Sequence, residues 1–117
     1  MEEYLGKHIL AEFWDCDSET LKGVKEVENI MTEAAKCAKA TIVETCFHQF
    51  SPYGVSGVVV IAESHLAIHT WPEHSYAAVD FFTCNCKCNT DKAIEYLKNK
   101  FNSQNVSVQL IQRGKIK

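Results

Sequence analysis

Two strand-sized apolar stretches stand almost back to back in the middle of the chain, Val58 to Ala62 and Leu66 to Trp71. Each is short, and the first is nearly all β-branched, so both read as strands of a sheet. Connections this short join antiparallel neighbours. The second strand lies inside Glu63-Ser64-His65-Leu66-Ala67-Ile68-His69-Thr70-Trp71-Pro72-Glu73, a run with a serine, two histidines and two carboxylates. A buried strand does not need so many polar and titratable groups, and each costs desolvation energy unless it is paired. The run therefore reads as a site as well as a strand.

The rest of the chain supplies the other elements. His8 to Trp14 reads as a strand, and Asp17 or Ser18 can cap a following helix. Leu21, Val24, Val27, Met31, Ala34, Ala35 and Ala38 recur at helical spacing, so the pattern predicts one helix from that cap to Ala38. Gly23 weakens its first turn by about 1 kcal/mol. Thr41 to Phe50 reads as a strand using both faces, and Ser51 to Gly57 as a Pro/Gly loop. Tyr76 to Cys84 follows the Pro72 turn as a further strand. Asn85 to Thr90 reads as a loop whose Asn89 or Thr90 caps a second helix on Ala93, Ile94, Leu97 and Phe101. Val106, Val108 and Leu110 alternate in a last strand, and the tail Arg113 to Lys117 is expected to fray.

The order β-α-β-β-β-β-α-β predicts an α/β (α+β) two-layer sandwich, a mostly antiparallel sheet with two helices on one face. Two helices cannot cover both faces, so a partner sheet in a homodimer is expected on the other. The 117 residues form one domain, 1–117, with a real core. The formal charge is -3 and there is no basic run, which argues against a nucleic-acid partner. No apolar run approaches the roughly 20 residues that span a bilayer. Met1 to Lys7 lacks the basic-then-apolar layout of a secretory signal, so a cytoplasmic protein with no membrane partner is expected. Cys16, Cys37, Cys46, Cys84, Cys86 and Cys88 are an even set, but with a good core pattern they read as reduced thiols.

Several chemistries can be weighed from spacing. His65 and His69 would share a metal on a helix, but four residues of strand span roughly 13 Å, which excludes one ion between them. Cys84-x-Cys86-x-Cys88 is a weaker metal signal than paired Cys-x-x-Cys motifs, and no metal is expected. Ser64 lacks the G-x-S-x-G setting of a hydrolase nucleophile. Phe50, Tyr53, Trp71, Phe81 and Phe82 can stack on a ligand, and Phe50 and Tyr53 flank a loop instead of sitting mid-strand.

The run from Glu63 to Glu73 resembles the self-cleavage motif of the bacterial and archaeal S-adenosylmethionine decarboxylases, which are pyruvoyl enzymes. The resemblance extends over Gly6 through Phe13, Ala40 to Val43, Phe47 to Val60 and Tyr76 to Cys84. Ala67 departs from it where a hydroxyl residue is expected, as do Cys86, Cys88 and a short C-terminus. The resemblance implies that Ser64 attacks the Glu63 carbonyl, that His69 takes the Ser64 Cα proton, and that elimination cuts the chain. A β chain 1–63 and an α chain 64–117 result, with a pyruvoyl cofactor made from Ser64. Imidazole is suited to such general base work.

The pyruvoyl ketone would then form a Schiff base with S-adenosylmethionine and take up the electrons left by carbon dioxide. Cys84 would return the proton. By the same resemblance Phe50 stacks on adenine, Glu73 binds the ribose, and Ser56 aids processing or orients the substrate. Two αβ units pair through their sheets, with sites at the interface, and the product is the aminopropyl donor for spermidine. The alternatives are a pyruvoyl-dependent arginine or ornithine decarboxylase, or a non-enzymatic metal-binding module on Cys84, Cys86 and Cys88.

Overall fold

The computed structural model describes residues 3–84 and 88–116. Strand β1 is Glu3–Trp14, and a 3-10 turn at Ser18–Leu21 leads to helix α1, Val24–Cys37. Strands β2 (Ile42–Gln49), β3 (Val55–Ile61) and β4 (Ser64–Trp71) follow. A second 3-10 turn at Pro72–His74 precedes β5 (Tyr76–Thr83), α2 (Thr90–Lys100) and β6 (Asn105–Ile116). The sheet order is β2-β3-β4-β5-β1-β6, and every neighbouring pair is antiparallel. This is the expected two-layer sandwich.

Strand alternation decides which side chains enter the core. Ile9, Ala11 and Phe13 of β1, Leu66 and Ile68 of β4, and Ala77, Val79 and Phe81 of β5 are all buried toward the helices. Val27, Met31 and Ala34 of α1 and Ala93 and Leu97 of α2 close the same core. Each large side chain buried this way contributes about 1.5–3 kcal/mol. The intervening residues, among them His8, His65, His69, Asp80 and Phe82, occupy the opposite, open face.

The structure corrects four expectations. The first helix is broken: Asp17 caps the 3-10 turn by accepting the Glu19 N–H, and α1 begins only after Gly23. Backbone groups at the break are claimed by Gln49 and Thr70 from the sheet. Second, Val55, Ser56 and Gly57 belong to β3, and the loop is only residues 50–54. Gly57 sits in a strand because the Phe47 ring lies over it, 2.0 Å from where a Cβ would stand. Third, β1 begins at Glu3, not His8. Fourth, Arg113 to Ile116 of the tail do not fray, since Gly6 pairs with Arg113 and Glu3 with Ile116. That ladder is held by backbone hydrogen bonds with little burial, so no apolar pattern announces it.

Cys16, Cys37, Cys46, Cys84 and Cys88 are free thiols, as expected. Cys86 lies outside the described residues.

Candidate active site

The link between β3 and β4 is a two-residue turn, Ala62-Glu63, with Ile61 paired to Ser64. Such turns usually place positive φ on their central residues. Here it falls on Ser64 instead, at 146°. An L side chain rarely adopts that region, and the strain costs on the order of 1–3 kcal/mol. The turn is clamped from two sides. Ala62 N–H donates to Thr41 O at 2.8 Å, and Thr41 N–H donates to the Glu63 carboxylate at 3.1 Å. On the other side, the Glu63 carbonyl oxygen accepts the Cys84 N–H at 3.0 Å and the Cys84 thiol at 3.3 Å. Two donors on one carbonyl polarise it and can stabilise an oxyanion. Glu63, Ser64 and Cys84 are thus brought together.

Phe50, Ser56, His69 and Glu73 are brought together elsewhere. With Tyr53, Gly54, Thr70 and Trp71 they line a cavity of about 290 Å³. Ser56 and His69 face each other across β3 and β4, and the Ser56 hydroxyl is 2.8 Å from His69 Nδ1. That contact orients the ring and leaves Nε2 for other chemistry. His48 meets the Phe50 ring edge to face at 4.6 Å between centroids, and Lys22 stands over Tyr53 at 5.2 Å. Glu73 is exposed in the turn that buried Pro72 opens. Gly54 has φ 112°, which suits glycine where the loop turns back toward Thr70. Thr70 and Gly54 were not expected in the site: a threonine mid-strand and a loop glycine carry no chemical signal on their own.

The two groups lie at opposite ends of β4. Five residues of strand at about 3.3 Å each separate Ser64 from His69 by roughly 16 Å. Within one chain, His69 is therefore not brought to the Ser64 Cα.

A third group went unrecognised because its members come from three strands. His8 Nε2 and His65 Nε2 each lie 2.8 Å from the same Asp80 oxygen. One donor atom from each residue falls within 4.8 Å of the others, the one such trio among the described residues. The shared oxygen is the geometry of a carboxylate bridging two imidazoles. Arg113, with Nη1 3.4 Å from His8 Nδ1, is a neighbouring cation that works against a metal ion there. Burial pushes the Asp80 carboxyl up, but the hydrogen bonds to His8 and His65 outweigh it and hold the carboxyl below its ordinary range. Of the three cysteines suggested as a metal site, Cys84 is exposed and Cys88 is buried, and that burial pushes the Cys88 thiol up.

Comparison with known proteins shows the family. The family model for S-adenosylmethionine decarboxylase matches residues 7–114. An S-adenosylmethionine decarboxylase proenzyme of Thermosipho africanus is 57% identical over 111 residues, which is 95% of this chain and 85% of the relative. One of Moorella thermoacetica is 57% identical over 112 residues, 96% of this chain and 90% of the relative. The crystal structure of the adenosylmethionine decarboxylase from Aquifex aeolicus superposes with a TM-score of 0.91 at 35% identity, covering 98% of this chain and 95% of that one. The match of the family model over residues 7–114 and relatives 57% identical over nearly the whole chain place it in the S-adenosylmethionine decarboxylase family.

Proposed function

We propose that the chain cleaves itself between Glu63 and Ser64, into residues 1–63 and 64–117, and then decarboxylates S-adenosylmethionine. The observation that carries this reading is the Glu63 carbonyl, held by two Cys84 donors beside a serine at φ 146°. Attack by Ser64 Oγ forms an ester and breaks the amide C–N bond, which releases the backbone strain. Cys84 stabilises the oxyanion on the way. A base then removes the Ser64 Cα proton, and the Cβ–O bond breaks, leaving Glu63 with a free carboxylate. Water replaces ammonia at position 64 to give the pyruvoyl ketone, which serves as the electron sink for decarboxylation.

His69 is the base, and it acts on the Ser64 of a second copy. Among the described residues no helix covers the open sheet face, which carries His69, Trp71 and Phe82. Two such faces laid together can bring the cavity of one copy to the Ser64 and Cys84 of the other. The functional unit is therefore a homodimer of αβ units with two composite sites. In each, Phe50 stacks on the adenine, a contact worth roughly 1–3 kcal/mol. Glu73 accepts the ribose hydroxyls, and the Cys84 thiol protonates the former α-carbon. The product is the aminopropyl donor for spermidine.

No helix among the described residues is long and apolar enough to cross a membrane. A cytoplasmic location is part of the proposal.

Intact mass and substrate release test the reading together. Purified protein should give two fragments whose summed mass is the precursor plus one water minus one ammonia, with a carbonyl-reagent adduct on the larger-numbered fragment. Ser64→Ala should stay a single chain. Carbon dioxide should come from S-adenosylmethionine and not from arginine or ornithine. Fragments heavier than the precursor by a whole water, or turnover of arginine or ornithine alone, would overturn it.

A further inference from the structure

Residues 50–54, which close β2 onto β3, carry much of the aromatic wall of the cavity. Burial does little to anchor the two aromatic side chains: Phe50 is 48% exposed and Tyr53 39%. One side chain outside the cavity ties this loop to the helical layer. Gln49 ends β2 with its amide at the break before α1. Its Oε1 accepts the Val24 N–H, the first of α1, at 2.7 Å. Its Nε2 lies 2.8 Å from Lys22 O, 3.0 Å from Gly54 O and 3.2 Å from Phe50 O. A primary amide has two N–H hydrogens, so two of the three carbonyls share one. The amide's orientation follows from its partners. All four are backbone groups, one a donor and three acceptors, and a flipped amide would set its oxygen against three carbonyls.

The surrounding bonds moor the same segment. Phe50 N–H closes the loop onto Gly54 O at 2.8 Å, and Gly54 N–H reaches Lys22 O at 3.3 Å. Buried Thr70 donates to Leu21 O and accepts the Val55 N–H, both at 2.9 Å. Gly23, the residue capping α1, has no side chain to offer, and Gln49 Oε1 takes the place of a cap.

We propose that Gln49 is a positioning residue for substrate binding: its amide holds the loop, and with it Phe50 and Tyr53, in place before substrate arrives. The proposal rests on the cavity being the adenosine subsite. A loop released from this mooring populates the binding-competent arrangement only part of the time, and apparent affinity falls by that fraction. Within one chain Ser64 stands at the far end of β4 with Cys84 beside it, and none of the Gln49 bonds reaches either.

Gln49→Met keeps the length of the side chain and removes all four bonds. It should leave self-cleavage and kcat within about twofold and raise KM for S-adenosylmethionine about tenfold. Phe50→Ala tests the cavity in parallel. Val27→Ala, a core change in α1 away from the loop, lowers Tm and serves as the stability control. A raised KM in the first two variants but not the third supports the proposal. An unchanged KM in Gln49→Met, with Phe50→Ala raised, overturns the positioning role and leaves the cavity assignment standing. An unchanged KM in both removes the cavity reading itself. A KM that rises in all three in step with the loss of Tm reduces Gln49 to a structural residue and overturns the proposal. Hydrogen exchange on the unsubstituted, ligand-free enzyme needs no variant to fold. The Phe50 and Gly54 amides should be protected there, and free exchange at both would refute a loop positioned in advance.

Discussion

Two inactive precursors should restore each other if the processing site is shared between copies. Direct proton transfer needs heavy atoms within about 3 Å, and the roughly 16 Å of strand between Ser64 and His69 rules that out within one chain. Co-expression of Ser64→Ala with His69→Ala, each carrying a distinguishable tag, separates the two possibilities. Random pairing at equal expression makes about half of all dimers mixed. In a mixed dimer, the intact Ser64 of the His69→Ala chain meets the intact His69 of its partner. The other composite site lacks its serine. About half of the His69→Ala chains should therefore be cleaved, and none of the Ser64→Ala chains. Denaturing gels and intact mass read both tagged chains at once. No cleavage of either chain in dimers shown to be mixed would refute transfer between copies. Cleavage of His69→Ala expressed alone, at the unsubstituted rate, would remove His69 from processing altogether. Light scattering that reports a monomer at micromolar concentration would remove the shared site.

Cys84→Ala should still cleave, about tenfold or more slowly, because the Cys84 N–H stays on the Glu63 carbonyl while the thiol is lost. It should lose most decarboxylation for want of a proton donor, and equal losses in both steps, read by gel and by carbon dioxide release, would contradict the separate roles. Asp80 gives a pH test. Its folded-state pKa lies below the ordinary carboxyl value, so its carboxylate stabilises the fold above the unfolded pKa, and that contribution disappears as pH falls through the folded one. The Tm deficit of Asp80→Asn should be full at about pH 6 and shrink towards about pH 3. A deficit that does not change over that range would mean that the His8 and His65 contacts do not favour the charged form.

Helix α1 beyond Gly23, the buried Leu66 and Ile68 of β4 and the alternation along β5 were legible because each signal is a local period, 3.6 or 2 residues. The cleavage and cavity residues were named from a motif, and the structure groups them as Glu63, Ser64 and Cys84 on one side, Phe50, Ser56, His69 and Glu73 on the other. Local pattern did not foretell the helix break, because Gln49 and Thr70 reach it from other parts of the chain. Nor did it show that Arg113 to Ile116 would pair with the start of β1, since those residues gain backbone bonds and little burial. The grouping of His8, His65 and Asp80 needed three strands to be set side by side. By itself, then, the sequence determined the kinds of elements, their core faces and the chemical groups available, all of which are encoded in residues close along the chain. Only the tertiary structure decided where those groups stand. Strand pairing put Cys84 on the Glu63 carbonyl and left His69 a strand's length from Ser64, because contacts between distant segments are set by how the sheet closes, not by spacing along the chain.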